Sequence, residues 1–244
     1  VKEIENALLN KEIDLAVHSM KDMPNTLPDG LSIGAIPERA NPFDVLISGK
    51  ANLLADYDKE AKIGTSSLRR SSQLLHCRSD LRVESIRGNL DTRLRKLDSG
   101  EYDAIVLAAA GLIRLQQEDR ISEYLNEDIM VPAVGQGALC VESRKDDQKI
   151  ESVLAALDHY DTRICVEVER AFLERIGGSC HIPVACFGKI LNEKDKKDKK
   201  DSLVENIEVL MNNYENYYSN INITYKDCLG KYGFPISKKC TSTP

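Results

Sequence analysis

Four places in the chain bring together side chains that could do chemistry. The first is Ser19-Met20-Lys21-Asp22, where a hydroxyl, an ammonium and a carboxylate fall within four residues. Ser19 and Lys21 can bind an anion, and Asp22 can steady a positive charge. The second is Thr65-Ser66-Ser67-Leu68-Arg69-Arg70. Hydroxyls and free backbone N–H groups at a helix start attract anions, and two arginines add bidentate carboxylate recognition. The third is Arg87-Gly88-Asn89 with Arg93 and, further on, Arg114. The fourth is Gly177-Gly178-Ser179-Cys180-His181, a cysteine on a tight turn that a partner could reach. Cys180 and His181 do not form an obvious thiol–imidazole pair, because adjacent residues on a strand point to opposite faces. Each place also fits a plainer role: a polar strand end, a capped helix with solvated arginines, a structural cysteine.

The elements that position these groups follow from hydrophobic periodicity. A helix-like segment runs from Lys2 to Asn10, with Ile4, Ala7 and Leu8 on one side. Ile13, Leu15 and Val17 then alternate as in a strand, which runs into the polar cluster and stops at Met23-Pro24. A second apolar unit, 30–36 and 44–47, is split by the polar crossing Pro37 to Pro42, a hinge-like connection. Lys62-Ile63-Gly64 is a short strand leading to a helix that carries Leu68, Leu74 and Leu75. Arg82 to Ile86 alternates, and the helix Leu90 to Leu97 follows, closed by Gly100. Ala104 to Ala110 reads as a fully buried strand of a parallel sheet, released at Gly111 into a helix bearing Arg114. Three strand-to-helix junctions therefore present Arg69/Arg70, Arg87/Arg93 and Arg114. In a parallel α/β unit such junctions share one sheet edge, which favours a pocket for a ligand with several carboxylates.

Met130 to Gly137 is a second Gly/Pro-rich crossing, followed by a strand from Ala138 to Val141 and a helix from Asp147 to Leu157 with Ile150, Val153, Leu154 and Leu157 inward. Two crossings leave residues 43–131 as an inserted lobe, in a two-lobed, hinged arrangement that closes over its ligand. Asp161 to Ile176 is amphipathic. The Lys/Asp-rich run from Asn192 to Asp201 opens a low-complexity insertion, 192–220, with partial helix from Leu203 to Met211. Ile221 to Tyr225 alternates like a strand, and the last fifteen residues show no pattern.

Composition narrows the function class. At 42% apolar over 244 residues, the chain is an ordinary globular one with room for several lobes. Net charge is −6, yet residues 62–100 hold nine basic side chains against four acidic ones. A basic focus in an acidic protein suits a small anion better than nucleic acid, and almost no aromatics interleave there to stack bases. No apolar run approaches a membrane span. Seven irregularly spaced cysteines without Cys-x-x-Cys argue against a zinc site and for a reducing compartment, cytosol or plastid stroma. There is no signal peptide, and a first residue of Val1 suggests a fragment or processed chain.

Taken in order, Val17 to Asp22, Gly64 to Arg70, Arg87-Gly88-Asn89 with Thr92-Arg93-Leu94, Ala133 to Ala138 and the Gly-Gly-Ser-Cys turn resemble the hydroxymethylbilane synthase (porphobilinogen deaminase) family over residues 1 to about 190. The resemblance implies two periplasmic-binding-protein-like α/β lobes with a double crossover and a small α+β C-terminal domain. It divides the chain into a first domain (1–40 and 133–158, incomplete at its start), a second (43–131) and a third (160–244). It implies a monomer that condenses four porphobilinogen units head to tail with loss of ammonia, in porphyrin and heme biosynthesis. It implies a dipyrromethane cofactor held by Cys180 through a thioether. Ser19, Lys21, Thr65, Ser66, Ser67, Arg69, Arg70, Arg87, Gly88, Arg93 and Arg114 would bind cofactor and substrate carboxylates. Asp22 would be the catalytic carboxylate that stabilises positively charged pyrroles.

The chain departs from the family pattern in three ways. Roughly sixty residues that in the family precede the first helix, including an Arg-x-Ser-x-Leu-Ala strand, are absent. Ser179 stands where a glycine is usual, and little of the third domain is recognisable after Ile190. Two other readings stay open: a non-catalytic two-lobed binding protein for a small polycarboxylate, and an inactive fragment of the enzyme. Nucleic-acid binding ranks behind both.

Overall fold

The computed structural model describes residues 1–49, 53–145, 147–175, 184–190, 207–213 and 237–239, the last two segments by their backbone. The described residues form a mixed α/β fold built on three sheets. The first sheet has the order β1-β8-β2, formed by β1 (Leu15–Ser19), β2 (Leu31–Ala35) and β8 (Leu139–Arg144), all antiparallel neighbours. Helix α1 (Lys2–Leu9) covers one face through Leu8, which packs with Ala16 and Leu31. Helix α5 (Gln148–Ala155) covers the other through Leu154, against Ala35 and Val141.

The alternation that marks β1 is present, but the larger apolar side chains are not the buried set. Ala16 and His18 are buried, whereas Leu15 is 38% and Val17 66% exposed. The cause is position: β1 is an edge strand, and α5 lies over β2 and β8 rather than over it. On α1, Ile4 is likewise exposed while Glu5 is buried. On α5 Val153 is exposed and only Leu154 is fully buried, and Leu157, also exposed, lies past the helix end, so the expected four-residue inward stripe is narrower than its periodicity.

The second sheet has the order β5-β4-β6-β3-β7: β3 (Asp44–Ser48), β4 (Lys62–Gly64), β5 (Arg82–Glu84), β6 (Ala104–Ala108) and β7 (Glu123–Leu125). Strands β5, β4 and β6 are mutually parallel, while β3 runs antiparallel to β6 and β7. Helix α2 (Leu68–Cys77) lies on one face, where Leu74 packs with Leu46, Ile63 and Val106. Helices α3 (Leu90–Asp98) and α4 (Ala109–Arg114) lie on the other, with Leu94, Leu97 and Leu112 against Val45, Ile47 and Ile105. Burial on both faces is why these strands read as continuous apolar runs. On α2, Leu68 and Leu75 are exposed; the inward face is Arg69, Arg70, Gln73 and Leu74. The helix turns its two arginines inward because a buried acid waits there.

The third sheet is β11-β10-β9, from β9 (Val184–Ile190), β10 (Ile207–Asn213) and β11 (Ser237–Lys239). Helix α6 (Tyr160–Arg175) packs on β9 so closely that a Cβ at Gly188 would lie 3.0 Å from the Cys165 carbonyl oxygen. The partial helix expected over Leu203 to Met211 is not formed from Ile207 onward: that backbone pairs with β9 along seven residues. Such tertiary pairing overrides a weak local helical preference. Among the described residues no helix is long and apolar enough to cross a membrane.

The chain passes twice between the first two sheets, over 36–43 and 126–138, and the passes touch. The Ala40 N–H donates to the Gly137 carbonyl at 3.2 Å, and Met20 N–H to the Ala138 carbonyl at 3.1 Å. Gly137 has φ +84°, and a Cβ there would sit 2.7 Å from the Ala40 carbonyl oxygen. Glycine is required for both reasons.

Candidate anion-binding site at the crossing between the sheets

The parallel run β5-β4-β6 puts its three strand-to-helix junctions on one sheet edge. At the β4–α2 junction Ser67 caps the helix, its hydroxyl accepting the Arg70 N–H at 3.5 Å, and the Thr65 hydroxyl accepts the Ser67 N–H at 3.2 Å. Ser66 ties this loop to the next one, donating to the Ile86 carbonyl at 2.6 Å and facing the Ser85 hydroxyl at 2.9 Å. At the β5–α3 junction Asn89 caps the helix through the Thr92 N–H at 2.9 Å. Gly88, at φ +120°, lets the loop fold over Thr92, and its carbonyl accepts Arg93 Nε at 2.8 Å. Arg87 projects outward and is exposed. At the β6–α4 junction, Arg114 reaches the crossing and donates to the Gly137 carbonyl at 3.0 Å.

The centre of the arrangement is Asp44, the fully buried first residue of β3. Arg69 Nη1 donates to its Oδ2 at 2.7 Å and Arg70 Nε to its Oδ1 at 2.8 Å. Arg70 Nη2 lies 2.8 Å from the same Oδ1, and Gln136 Nε2 donates to it at 3.1 Å. Arg69 Nη1 also reaches the Val131 carbonyl at 2.8 Å, and Arg70 Nη1 the Val106 carbonyl at 3.2 Å. Burial alone would raise the Asp44 carboxyl, but Arg69 and Arg70 outweigh it and hold it below its ordinary value. Both guanidiniums are themselves buried. A single carboxylate thus serves two cations, and the cluster keeps a positive excess.

Two more cations face it. Lys21 follows β1 in a short helical turn, Met20–Asp22, where Gly135 packs on Met20. Burial of the ammonium and then Arg70 lower the Lys21 pKa; Asp22, Asp44 and Arg69 are the other charges it senses. Arg93 is close enough to Arg70 to oppose its charge. The structure therefore brings Lys21, with Asp22 beside it, to Arg69, Arg70 and Asp44 of the second sheet, and Arg93 to Arg70. Ser19 ends β1 half-buried. Cys180, expected as a covalent anchor, lies outside the described residues, as do the turn around it, the Lys/Asp-rich run and the strand expected at 221–225.

Sequence reasoning missed four residues. Asp44 and Gln136 complete the arginine cluster. Arg39 and Glu169 form a buried fork-to-fork pair, Nη1 to Oε1 at 2.6 Å and Nη2 to Oε2 at 3.1 Å. Glu169 also accepts the Gly135 N–H at 2.6 Å and the Gly188 N–H at 2.9 Å, so α6, β9 and both crossings meet on one carboxylate. The available signal was an acid opening an otherwise apolar strand, Asp44-Val-Leu-Ile, and an acid on the inward face of an amphipathic helix.

Cations gathered about one buried acid, at the passage between two sheets of an α/β protein, are a candidate site for an anion with several acidic groups. Among the described residues no cluster of His, Cys, Asp and Glu is placed to hold a metal ion. Residues 1–152 match the family described as porphobilinogen deaminase, dipyromethane cofactor binding domain, and residues 163–231 match porphobilinogen deaminase, C-terminal domain. The chain belongs to the porphobilinogen deaminase family. It is 52% identical over 190 residues to the porphobilinogen deaminase of Brevibacillus brevis, covering 78% of this chain and 62% of that protein. With the porphobilinogen deaminase of Geobacillus kaustophilus it is 54% identical over 191 residues, 78% of this chain and 62% of the relative. The chain thus spans less than two thirds of these relatives' length. Among solved structures, an ABC transporter periplasmic substrate-binding protein from Coxiella burnetii aligns over 66% of this chain and 77% of its own, at 14% identity and a TM-score of 0.40.

Proposed function

We propose that the chain is the working part of a porphobilinogen deaminase, a transferase that joins four porphobilinogen molecules head to tail into hydroxymethylbilane with release of ammonia. The observation that carries this reading, beside family membership, is the convergence of Lys21, Arg69 and Arg70 on one buried acid, with Arg93 beside Arg70. Porphobilinogen bears an acetate and a propionate, so a growing chain of pyrroles is a polyanion that needs such a lining. A dipyrromethane group fits the same donors because it carries the same acid side chains, and when bound it supplies the primer from which the product chain is built. Cys180 would hold it through a thioether.

This chain's own residues then divide the work. Ser19, Lys21, Arg87, Arg93 and Arg114 grip acid side chains, with the hydroxyls and N–H groups of Thr65 to Ser67. Gly88 lets the backbone of that loop come close. Arg69 and Arg70 contribute through the N–H groups that Asp44 leaves free. Asp22, exposed beside Lys21, presents negative charge and two acceptors where a pyrrole becomes positive. On this reading the protein acts as a monomer on a small-molecule partner, without nucleic acid or membrane, in the cytosol or plastid stroma.

Two measurements test the reading. Intact mass of freshly made protein should show a dipyrromethane adduct that Cys180→Ser removes; bare Cys180 in the full-length protein would refute it. Asp22→Asn should lower ammonia release by about 10²–10³-fold, the loss expected for an electrostatic stabiliser, with the adduct retained. Calorimetric binding of porphobilinogen with no ammonia release by the full-length protein would instead identify a polycarboxylate-binding protein.

A further inference from the structure

The porphobilinogen reading leaves Asp44 without a role, yet Asp44 organises the cation cluster. It is fully buried, and it lies at the start of β3, immediately after the first crossing. Of Arg69's donors, Nη1 is taken by Asp44 and the Val131 carbonyl, and Nη2 points to Gln136 Oε1 at 3.5 Å. Of Arg70's, Nε and Nη2 go to Asp44 at 2.8 Å and Nη1 to the Val106 carbonyl at 3.2 Å. Neither guanidinium can swing freely toward a ligand. Each is clamped on one side, and Asp44 sets the direction of the remaining N–H bonds.

The charge pattern adds a second constraint. Without Asp44, two buried guanidiniums would face each other with Lys21 and Arg93 nearby and no internal counter-charge. Like charges in so dry a place repel strongly, and the side chains would splay. With Asp44, the cluster is held together in the free protein and still carries a net positive charge for incoming acids. Preorganised donors bind without the cost of ordering them on arrival.

We propose that Asp44 is the positioning residue of this site: an internal carboxylate that fixes Arg69 and Arg70 in the orientation in which they, with Lys21 and Arg93, receive ligand carboxylates. The proposal rests on the porphobilinogen reading for the identity of the ligand, but not for the internal role of Asp44. Asp44 touches no reacting atom; it acts through the two arginines.

The experiment has two arms, both on the whole protein. In the first, porphobilinogen affinity is measured by calorimetry for wild type, Asp44→Glu and Asp44→Asn. Asp44→Glu keeps the charge and moves it by one methylene. It should melt near the wild-type temperature yet bind about tenfold or more weakly, a loss expected for misaligned forks. In the second arm, Asp44→Ala opens a space beside the two guanidiniums, and formate is added during refolding and melting. Formate should raise the melting temperature of Asp44→Ala in a saturable way and leave wild type unmoved. Formate rescue shows that a carboxylate between the two guanidiniums is what holds them; an affinity loss at near-unchanged stability is the readout that a merely structural residue would not give. Wild-type affinity in Asp44→Glu overturns the proposal. So does an Asp44→Ala chain that gains nothing from formate. If wild type itself binds no porphobilinogen, the porphobilinogen reading fails, and the formate arm still decides the role of Asp44.

Discussion

Replacing Glu169 by Gln should destabilise the protein more than any change on its surface. The Glu169 carboxylate is fully buried and accepts four hydrogen bonds: two from Arg39, one from the Gly135 N–H and one from the Gly188 N–H. An amide keeps one acceptor oxygen, loses the charge, and turns an NH2 group toward donors. Removing one partner of a buried ion pair costs about 3–5 kcal/mol, because the surviving charge is left uncompensated. Little screening applies, since Arg39 is nearly as buried as its partner. At about 2–4 °C per kcal/mol for a chain of this size, the melting temperature should fall by roughly 6–20 °C.

A double-mutant cycle makes the test specific. Arg39→Met alone strands Glu169 and should cost a similar amount. Arg39→Met with Glu169→Gln removes both charges and should cost less than the two single changes added together. It should not return to wild type, because Gly135 and Gly188 still share one weaker acceptor, and an orphaned buried N–H costs about 1–3 kcal/mol. Urea midpoints at a fixed slope would measure all four corners. Additive single effects, or a loss below about 1 kcal/mol for Glu169→Gln, would refute the reasoning.

The remaining predictions concern titration and backbone. Burial raises the Glu142 carboxyl above its ordinary 4.5; His18, 3.0 Å away, opposes the shift, and Glu5 reinforces it. The fold therefore binds this proton more tightly than the unfolded chain does. Its stabilising contribution is full below about pH 4.5 and is lost as pH rises through the folded value. Glu142→Gln should flatten that decline in urea midpoints taken from about pH 4 to 8, and an unchanged profile would contradict the assignment. Gly137→Ala must adopt φ near +84° and place its Cβ 2.7 Å from the Ala40 carbonyl oxygen. It should cost at least about 1–2 kcal/mol in thermal unfolding, from handedness alone. Gly111→Ala, in the open on α4, meets nothing within 4 Å and should be stabilising by about 0.5–1 kcal/mol.

The sequence revealed elements and junctions better than it revealed facings. Gly64-Thr-Ser-Ser, Arg87-Gly-Asn and Ala108 to Gly111 stand at strand-to-helix junctions because turn chemistry and capping are local, set by neighbours two or three residues away. Parallel pairing of β4 with β5 and β6 then brings their arginines to one edge. The facing of β1 was not legible: period 2 locates a strand, but which set of side chains is buried depends on what packs over it. For the same reason the leucines of α2 do not mark its inward face, where Arg69, Arg70 and Gln73 lie beside Leu74. Their partners stand 25, 26 and 58 residues away in sequence, at Asp44 and Val131. No local pattern encodes a buried acid that acquires its cations through tertiary structure.

Those distant partners converge on one short stretch, and that convergence ties the candidate site to the rest of the fold. The Gln136 side chain donates to Asp44 at 3.1 Å and to the Pro42 carbonyl at 2.6 Å, while its backbone carbonyl accepts Arg39 Nε at 2.8 Å. One residue before it, the Gly135 N–H is held by Glu169, and one residue after it, the Gly137 carbonyl accepts both Arg114 and the Ala40 N–H. The crossing is therefore gripped by the cation cluster on one side and by the Arg39–Glu169 pair on the other. The residues that hold Arg114 and the Asp44 arginines are thus the same three that fasten α6 and β9. The cation cluster and the third sheet are therefore joined at residues 135–137 by discrete hydrogen bonds. The two positive-φ glycines matter for the same reason: only glycine allows the backbone to pass close enough to Met20 and Ala40 for those bonds to form.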